Sequence, residues 1–416
     1  MDPGLDLRPV PEGQRTATFW DVLALFAGAN VVTTTLVTGG ALAPAFSLRQ
    51  AVLLIVLGVA LGTLPIAVLA RLGPRFGVPT MVLLRRPFGR RGAAAISLLL
   101  IVTNFAWIAL NNVIAAAACT ALMGGPGWAW SLAVGVVAVG IALFGPRAMA
   151  AFDKIAVPAL AVVGVAITWA LFAGPAREVL ERGGTGALPW LAGLDIVVGY
   201  QVSWALMFAD YTRHQRSETK AAWACGLGLA AASLWLMTLG AGAGLAGGGA
   251  SPTAMILGVG LPAPALLLMA LSTITTNFVN IYLSSLALKN LWPRAPERGT
   301  VLLLGGLGTL LGLVSPRLID RYADFMGWIA TLLLPLLAVA IVHFFTSRRS
   351  EGTTPWNWAG MAAWLAGVAT YQTLTHLPWR WGATVPTLVV TAALAVAGNR
   401  LLSVRGSSRG AERPKT

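Results

Sequence analysis

The sequence predicts an all-α polytopic membrane protein with about 12 transmembrane helices. Hydrophobic residues make up 57% of the 416 residues and charged residues only 11%, whereas roughly a quarter of the residues of a soluble domain are charged. Apolar runs of about 20 residues recur along nearly the whole chain, and each can cross a hydrocarbon layer of roughly 30 Å as a helix. Gly, Pro and charged residues separate these runs, as at Gly124-Gly125-Pro126-Gly127.

The predicted spans are numbered one to twelve in chain order. They cover residues 20–46, 50–70, 93–122, 128–145, 154–173, 192–212, 221–247, 262–290, 300–315, 324–346, 357–374 and 381–402. An N-terminal segment, 1–19, precedes the spans, and a polar, basic tail, 403–416, follows them and is predicted to be disordered. No segment outside the spans is large enough to fold alone, so one membrane domain is expected.

The net charge of +14 reflects the distribution of the Lys and Arg residues rather than a nucleic-acid partner. If the N-terminus is cytoplasmic, the inward segments hold 23 of the 29 Lys and Arg residues. The outward loops hold the other six: Arg49, Arg177, Arg182, Arg317, Arg321 and Arg380. This asymmetry follows the positive-inside rule. It predicts a bacterial cytoplasmic (inner) membrane protein with both termini in the cytoplasm and no nucleic-acid partner.

Spans one and six carry unusual amounts of Gly and polar residues. Span one contains Gly28-Ala29-Asn30, Thr33-Thr34-Thr35 and Thr38-Gly39-Gly40, and span six contains Gly199-Tyr200-Gln201 and Ser203. The first ten spans divide into two sets of five, and these two spans hold corresponding places in the sets. The pattern predicts broken helices in an inverted repeat, with free backbone groups at mid-membrane. Small and polar residues are also typical of tightly packed membrane helices, so close helix packing remains an alternative explanation of the pattern.

Ionisable residues are nearly absent from the interior of the spans, where proton paths and intramembrane catalysis need them. The three aspartates of spans one and six and all three histidines lie near span ends: Asp21, Asp195, Asp210, His214, His343 and His376. No nucleophile with an embedded base and no metal-ligand cluster is recognisable. The sequence therefore predicts that the protein is not an enzyme and has no resident cofactor.

Span three carries a polar and aromatic stripe in an otherwise aliphatic segment. Asn104, Trp107 and Asn111 are spaced i, i+3 and i+7, which places them on one helical face. An indole ring stacks on flat rings, and amides hydrogen-bond to the edges of such rings. The stripe is a candidate binding face for a flat heterocycle, although a helix-packing stripe with interhelical amide bonds would look the same.

Span eight concentrates side-chain oxygen within nine residues. The residues concerned are Ser272, Thr273, Thr275, Thr276, Asn277 and Asn280. Hard cations such as sodium take oxygen ligands. A pair of hydroxyls that faces carbonyls freed by a break in span one would therefore form a cation site.

Together these motifs resemble the nucleobase:cation symporter-1 family, which includes cytosine, purine, hydantoin and hydroxymethylpyrimidine permeases. The resemblance runs through residues 15–345. Besides Trp107, it rests on Thr38-Gly39-Gly40, Gly77-Val78-Pro79-Thr80, Arg86-Pro87-Phe88-Gly89, Ala209-Asp210-Tyr211-Thr212-Arg213 and Thr275-Thr276-Asn277. It implies a ten-helix core, 20–346, of the kind found in sodium-coupled amino-acid transporters. Repeat one would be 20–173, repeat two 192–346, and two additional helices would lie in 347–402.

The resemblance also implies the site residues. Substrate would lie between spans one, three, six and eight, with Trp107 stacking on the heterocycle and Asn104 and Asn277 as amide contacts. Many relatives have a second aromatic wall nine residues before the span-six aspartate, where this chain has Gln201 with Tyr200 beside it. The candidate substrate contacts are Asn104, Trp107, Asn111, Tyr200, Gln201, Asn277 and Asn280. The implied Na⁺ ligands are the carbonyls of Gly28, Val31 and Ser272 and the hydroxyls of Thr275 and Thr276.

The expected function is secondary symport that imports a nucleobase, cytosine or a related pyrimidine or purine, together with a cation. The oxygen-rich cation site favours Na⁺ over protons. The positions of Phe278 and Tyr282 in span eight resemble those in the hydroxymethylpyrimidine branch of the family, so uptake of that thiamine precursor is an alternative. H⁺ coupling is an alternative to Na⁺ coupling. A channel or a non-transporting receptor is the alternative from another class. The expected partners are a small heterocyclic substrate and membrane lipid, with the protein as a monomer.

Overall fold

A computed structural model of the chain describes residues 7–174, 176–248, 251–292, 294–315, 317–346, 354–377 and 382–411. Helices dominate these ranges, and an isolated bridge between Ala17 and Gln215 is the β-pairing found in them. Seven of the described helices are long and apolar enough to cross a membrane, and a bent helix pair makes an eighth candidate. Shorter apolar helices accompany them. The predicted all-α polytopic class is confirmed.

Each of the twelve predicted spans coincides with a helix or with consecutive helices. The helices, numbered in chain order, are α1 Phe19–Asn30, α2 Thr33–Gly40, α3 Leu48–Ala70, α4 Leu72–Phe76, α5 Thr80–Leu83, α6 Arg85–Met123, α7 Gly127–Leu143, α8 Pro146–Ala173, α9 Ala176–Glu181, α10 Trp190–Val202, α11 Phe208–Thr212, α12 Glu218–Ala243, α13 Pro252–Gly258, α14 Pro264–Leu291, α15 Glu297–Val314, α16 Tyr322–Thr346, α17 Trp358–His376 and α18 Thr384–Ala411. Polar caps start several of them: Thr18 and Ser47 each begin a helix with a capping box.

Span one is broken in the middle, as the sequence predicts. Helix α1 ends at Asn30, Val32 is extended (φ −138°, ψ 158°), and α2 begins at Thr33 with a bend of 58°. The Thr35 hydroxyl donates to the carbonyl of Asn30, at 2.6 Å, and so satisfies a backbone acceptor that the break releases. The break places two helix ends inside the membrane domain.

Span six is broken at the corresponding place. Helix α10 ends at Val202, a 3₁₀ turn covers Ser203–Leu206, and Met207 leaves helical geometry (φ −135°, ψ 6°) before α11 begins at Phe208. Both members of the predicted pair of broken helices are therefore confirmed.

The core spans fall into two packed groups. Helix α12 packs on α1, α2 and α3, and α10 packs on α3. The other group forms around α6, which packs on α14, α15 and α7. Small residues allow close approach within the first group: a Cβ on Gly39 of α2 would lie 1.8 Å from the carbonyl oxygen of Met237 in α12. The helices α2 and α12 are therefore in backbone contact.

Helix α6 starts with a kink at Gly89, whose φ of 80° lies in the left-handed region that favours glycine. A Cβ there would lie 2.7 Å from the backbone of Trp356 and of Asn357. The Asn357 amide donates to the carbonyl of Phe88, at 3.0 Å. Gly89 thus lets the chain segment before α17 dock against the start of span three.

The C-terminal helices α17 and α18 pack on each other and on α16. The carboxylate of Asp195 in span six accepts hydrogen bonds from the Thr384 hydroxyl (2.5 Å) and the Ala383 amide (3.3 Å), which ties α18 to the core. Helix α18 continues to Ala411, into the segment predicted to be disordered. Residues 412–416 and Arg380 lie outside the described residues.

The N-terminal segment runs along one end of the helices. The Arg15 guanidinium donates to the carbonyl of Pro74 (2.5 Å) after span two. The Ala17 amide donates to the carbonyl of His214 (3.0 Å) after span six, and the Arg216 guanidinium donates back to the carbonyl of Arg15 (2.9 Å). The segment therefore links the chain after span two to the turn after span six.

Candidate functional site

A cavity of about 2010 Å³ lies between the two helix groups. Residues of spans one, three, four, five, six, eight, nine and ten line it, and it reaches the helix ends that carry Lys154, Arg213 and Arg298. Those ends hold most of the Lys and Arg residues. The cavity is thus open towards the side predicted to be cytoplasmic.

The cavity brings together seven of the twelve sequence-predicted site residues. They are Gly28, Asn104, Trp107, Tyr200, Thr275, Thr276 and Asn280. The other five lie outside the cavity lining: Val31, Asn111, Gln201, Ser272 and Asn277. Spans one, three, six and eight all contribute to the first set, as expected for a site between them.

An aromatic cluster lies in the cavity wall. The ring of Tyr200 meets the ring of Trp107 edge to face, with centroids 6.1 Å apart, and Phe325 of span ten meets Trp107 at 5.0 Å. The Trp107 side chain is 9% exposed and lines the cavity. Its two aromatic neighbours fix the indole from both spans six and ten, and such pairs contribute about 0.5–1.5 kcal/mol each.

Tyr200 also bonds to both sides of the break in span one. Its hydroxyl lies 2.5 Å from the Thr35 hydroxyl and donates to the Asn30 side-chain oxygen at 3.1 Å. The Asn30 amide nitrogen in turn donates to the carbonyl of Leu229 in span seven, at 3.1 Å. These residues are buried. The aromatic cluster is therefore connected through one side chain to the helix break.

Gln201, one residue further along span six, occupies a different environment. Its side chain is fully buried, and a Cβ on Gly62 of span two would lie 2.5 Å from the Cβ of Gln201. Neither amide atom of Gln201 has a hydrogen-bond partner among the described residues. Of the two alternatives left by the sequence for the second aromatic wall, Tyr200 lines the cavity and Gln201 faces span two.

The amides of spans three and eight join these two spans. The Asn104 amide nitrogen donates to the carbonyl of Asn280 (3.2 Å) and to the hydroxyl of Ser284 (3.0 Å). The Asn277 amide nitrogen donates to the side-chain oxygen of Asn112, at 2.7 Å. Asn277 thus bonds spans three and eight to each other in this structure. Its own side-chain oxygen has no hydrogen-bond partner within the described part of the chain.

The stripe predicted on span three divides after Trp107. Asn104 and Trp107 line the cavity, whereas Asn111 is fully buried away from it, and neither of its amide atoms has a partner within the described ranges. The span-three side chain that bonds to Asn277 of span eight is Asn112, which is not part of the predicted i, i+3, i+7 stripe.

The candidate cation ligands on span eight contact one another. The Thr275 hydroxyl donates to the carbonyl of Ser272 at 2.7 Å, and the Thr276 hydroxyl donates to the same oxygen at 3.2 Å. On span one, the Gly28 carbonyl accepts from the Val31 amide at 3.1 Å. A hydroxyl that donates its proton keeps lone pairs for a cation. Gly28, Thr275 and Thr276 line the same cavity, so three of the five candidate ligands share one space.

The two ends of the cavity differ in character. Charged side chains surround the open end, and there burial and the positive charge of Arg213 lower the pKa of His214, so this imidazole is neutral at pH 7. At the opposite end the Thr38 hydroxyl lies 2.6 Å from the hydroxyl of Tyr322 in span ten. A bond between spans one and ten thus lies on the closed side of the cavity.

Sequence reasoning did not select the aromatic residues of span ten. Tyr322 and Phe325 lie three residues apart at the start of α16, one bonded to Thr38 and the other packed on Trp107. The i, i+3 spacing of two aromatic rings at a span end is the signal that points to one shared face.

Comparisons with known proteins identify relatives across nearly the whole chain. The family profile described as permease for cytosine/purines, uracil, thiamine and allantoin matches residues 9–396. The cytosine permease of Escherichia coli (strain K12) is 26% identical over 388 residues, which are 89% of each protein. A candidate purine-cytosine permease of Bacillus subtilis (strain 168) is 29% identical over 217 residues. That match covers 51% of this chain and about half (47%) of the relative.

Two solved structures of one transporter, Mhp1 of the nucleobase-cation-symport-1 family, share the fold. The inward-facing conformation has a TM-score of 0.83 at 20% identity and covers 98% of this chain and 97% of its own. The closed conformation with bromovinylhydantoin bound has a TM-score of 0.79 at 19% identity, with 97% and 96% coverage. The likeness extends over the two C-terminal helices as well as the ten-helix core.

Proposed function

Since the chain belongs to the family of permeases for cytosine/purines, uracil, thiamine and allantoin, we propose that it imports a nucleobase by symport with Na⁺. The family consists of membrane transporters, so the protein is a transporter and not an enzyme. The proposed substrate is cytosine or a related pyrimidine or purine. No covalent chemistry is involved, and the cation is a co-transported ion rather than a resident cofactor.

The observation that carries the proposal is the indole of Trp107 in the cavity wall. An indole face stacks on a flat ring, and Tyr200 and Phe325 hold the indole through T-shaped contacts. The amide of Asn104 lies three residues earlier on the same side of span three and could bond to the edge of a base. Asn277 would join the substrate contacts only after it releases Asn112.

The names of the relatives favour the same class of substrate. The relative that matches 89% of the chain is a cytosine permease, and one structural relative holds a hydantoin, which is also a flat nitrogen heterocycle. The alternative within transport is the thiamine precursor hydroxymethylpyrimidine. It is favoured by Tyr282, which lies in the cavity lining.

Sodium coupling is proposed from the oxygen atoms shared by spans one and eight. The hydroxyls of Thr275 and Thr276 and the residue Gly28 line one cavity, and this set offers oxygen ligands without a carboxylate. Asp210 also lines the cavity, near its open end, and is the group that would serve the alternative of H⁺ coupling. We further propose a monomer in a bacterial inner membrane with both termini in the cytoplasm, because the positive charge is concentrated on that side.

Uptake of labelled cytosine into proteoliposomes tests the proposal. An inward Na⁺ gradient is expected to drive accumulation above the external concentration, and a choline gradient is not. Unlabelled purines, uracil, a hydantoin and hydroxymethylpyrimidine, added in turn, rank the substrates by competition. If only hydroxymethylpyrimidine competes, the substrate would be assigned as hydroxymethylpyrimidine rather than cytosine.

The coupling ion and the transport class have their own controls. Accumulation driven by a pH gradient in choline would assign the coupling to protons. Equilibration without accumulation in every gradient would identify a channel or facilitator, and binding without flux would identify a receptor.

A further inference from the structure

A cluster of arginine and aromatic side chains lies where span two ends, apart from the cavity. We call it the arginine–aromatic cluster; it consists of Arg75, Phe76, Arg86, His343 and Phe344. The Cζ atom of Arg86 lies 4.1 Å from the centroid of the Phe76 ring, and that of Arg75 lies 5.5 Å from the same centroid. Phe76 packs on Phe344 with centroids 5.8 Å apart. None of the five residues is among those that line the cavity, so the cluster is independent of the transport site.

The cluster holds two positive charges against one ring. Arg75 is close enough to Arg86 for the two guanidinium groups to repel each other. Arg71 nearby has a carboxylate partner in Glu218, at 3.5 Å, but across the described ranges no carboxylate lies within ion-pair distance of Arg75 or Arg86. Cation–π contacts stabilise each guanidinium and leave its hydrogen-bond donors free. Within the described ranges, an anion is the ligand that this arrangement lacks.

A third donor lies in the same place. His343 is 7% exposed, and its Nε2 atom has no hydrogen-bond partner in the part of the chain that the structure describes. The imidazole contacts the Phe344 ring at 5.4 Å and lies within electrostatic range of Arg86. A buried polar atom without a partner is costly, and an imidazole N–H is a suitable donor to a phosphate oxygen.

The position of the cluster favours a lipid as the source of that phosphate. Span two ends at Ala70 and span ten at Thr346, so the cluster lies where these helices leave the hydrocarbon layer. The two spans also carry exposed apolar side chains: Leu64 of span two is 66% exposed, and Phe345, which follows Phe344 in span ten, is 39% exposed. Basic pockets between transmembrane helices bind anionic headgroups. We propose that the arginine–aromatic cluster binds the phosphate of one anionic phospholipid, with its acyl chains along span two.

Native mass spectrometry of the full-length protein tests the site. The wild-type protein is released in the mass spectrometer from detergent that contains equal amounts of phosphatidylglycerol and phosphatidylcholine. It is expected to retain one molecule of phosphatidylglycerol. In Arg75→Gln/Arg86→Gln the apparent affinity for phosphatidylglycerol is expected to fall roughly tenfold or more, since both guanidinium donors to the charged phosphate are lost. The matched control is Arg90→Gln/Arg91→Gln, which removes the same charge from two exposed arginines of the same segment. The control is expected to lose less affinity than the test variant, because Arg90 and Arg91 are not part of the arginine–aromatic cluster.

Several outcomes would overturn the proposal. If the two double variants lose equal affinity for phosphatidylglycerol, the lipid is attracted by the basic surface as a whole and not by a specific site. If wild type does not prefer phosphatidylglycerol to phosphatidylcholine, the site does not exist. Equal retention of glycerol phosphate would show a site for free phosphate rather than lipid. Arg75→Lys/Arg86→Lys keeps the charge and is expected to retain most of the binding. Unchanged melting temperatures in phosphatidylcholine separate lost binding from lost folding.

Discussion

The hydroxyl of Tyr200 in span six lies 2.5 Å from the hydroxyl of Thr35, just beyond the break in span one. The ring of the same tyrosine makes a T-shaped contact with Trp107 in the cavity wall. A movement of the indole on substrate binding would therefore displace the Tyr200 side chain, which is bonded to both sides of the helix break. This arrangement gives a physical route between the proposed heterocycle site and the carbonyl groups around Gly28.

Trp107→Ala is expected to weaken cytosine binding, because the variant loses the stacking face. Loss of one aromatic pair contributes about 0.5–1.5 kcal/mol, or roughly 2- to 12-fold in Kd, in addition to the lost buried area. Trp107→Phe should lose less. Titration calorimetry on purified protein measures the Kd. The control is Trp169→Ala, because Trp169 is 76% exposed on span five, outside the cavity lining. A wild-type Kd in Trp107→Ala would assign the indole to helix packing alone.

Tyr200→Phe is expected to lower stability more than it lowers substrate affinity. The ring contact to Trp107 stays, but the Asn30 side-chain oxygen loses its partner, which costs about 1–3 kcal/mol for a buried group. Melting temperature in detergent reports the change. Tyr371→Phe is the matched control, since the Tyr371 hydroxyl is buried without a hydrogen-bond partner among the described residues. Equal melting shifts in the two variants would contradict the link to the break.

Replacement of Thr275 and Thr276 by Val is expected to abolish the effect of sodium on substrate binding. The variant keeps side-chain volume but loses both hydroxyl ligands. Binding of two coupled ligands is reciprocal, so in wild type Na⁺ should raise substrate affinity by the factor by which substrate raises Na⁺ affinity. Calorimetry in sodium and in choline, at pH 6 to 8, measures both.

Thr273→Val is the control for this experiment, because the Thr273 hydroxyl donates to carbonyls of its own helix and lies outside the cavity lining. Its sodium dependence should match wild type. If wild type binds substrate equally in both salts and responds to pH, protons are the coupling ion. If it responds to neither, coupling through binding is absent.

Gly39→Ala is expected to destabilise the protein by about 1–3 kcal/mol or more, because overpacking forces backbones apart. The new methyl group would lie 1.8 Å from the Met237 carbonyl oxygen, so α2 and α12 must separate. Gly140→Ala in α7 is the control: a Cβ there meets nothing within 4 Å, and Ala gains up to about 1 kcal/mol in helix propensity. Similar melting temperatures for both variants would show that α2 and α12 can separate freely.

The spans and both helix breaks could be predicted because they depend on local composition. Long apolar runs, and Gly and Thr residues around Val31 and Ser203, carry that information in consecutive residues. The choice between Tyr200 and Gln201 could not be predicted, since neighbouring residues on a helix point about 100° apart and only tertiary packing decides which faces the cavity. The same reason explains why Asn112, rather than Asn111, bonds to Asn277.

The contribution of span ten also lay beyond the sequence pattern. Phe325 reaches Trp107 across more than 200 residues of chain, and the pairing depends on how the two repeats dock. Motifs that recur within one helix reveal a face, whereas contacts between distant helices have no signature in a single sequence.

The docked N-terminal segment has a consequence for the biogenesis of the protein. Arg15 is bonded to Arg216, which is synthesised 201 residues later. At roughly 5–20 residues per second, the ribosome needs roughly 10–40 s between these two residues. During that interval the first five spans are synthesised while the N-terminal segment has no docking partner after span six. Attachment of this segment to Arg216 must therefore follow the synthesis of span six, so this bond reports that the N-terminal segment and the end of span six have come together.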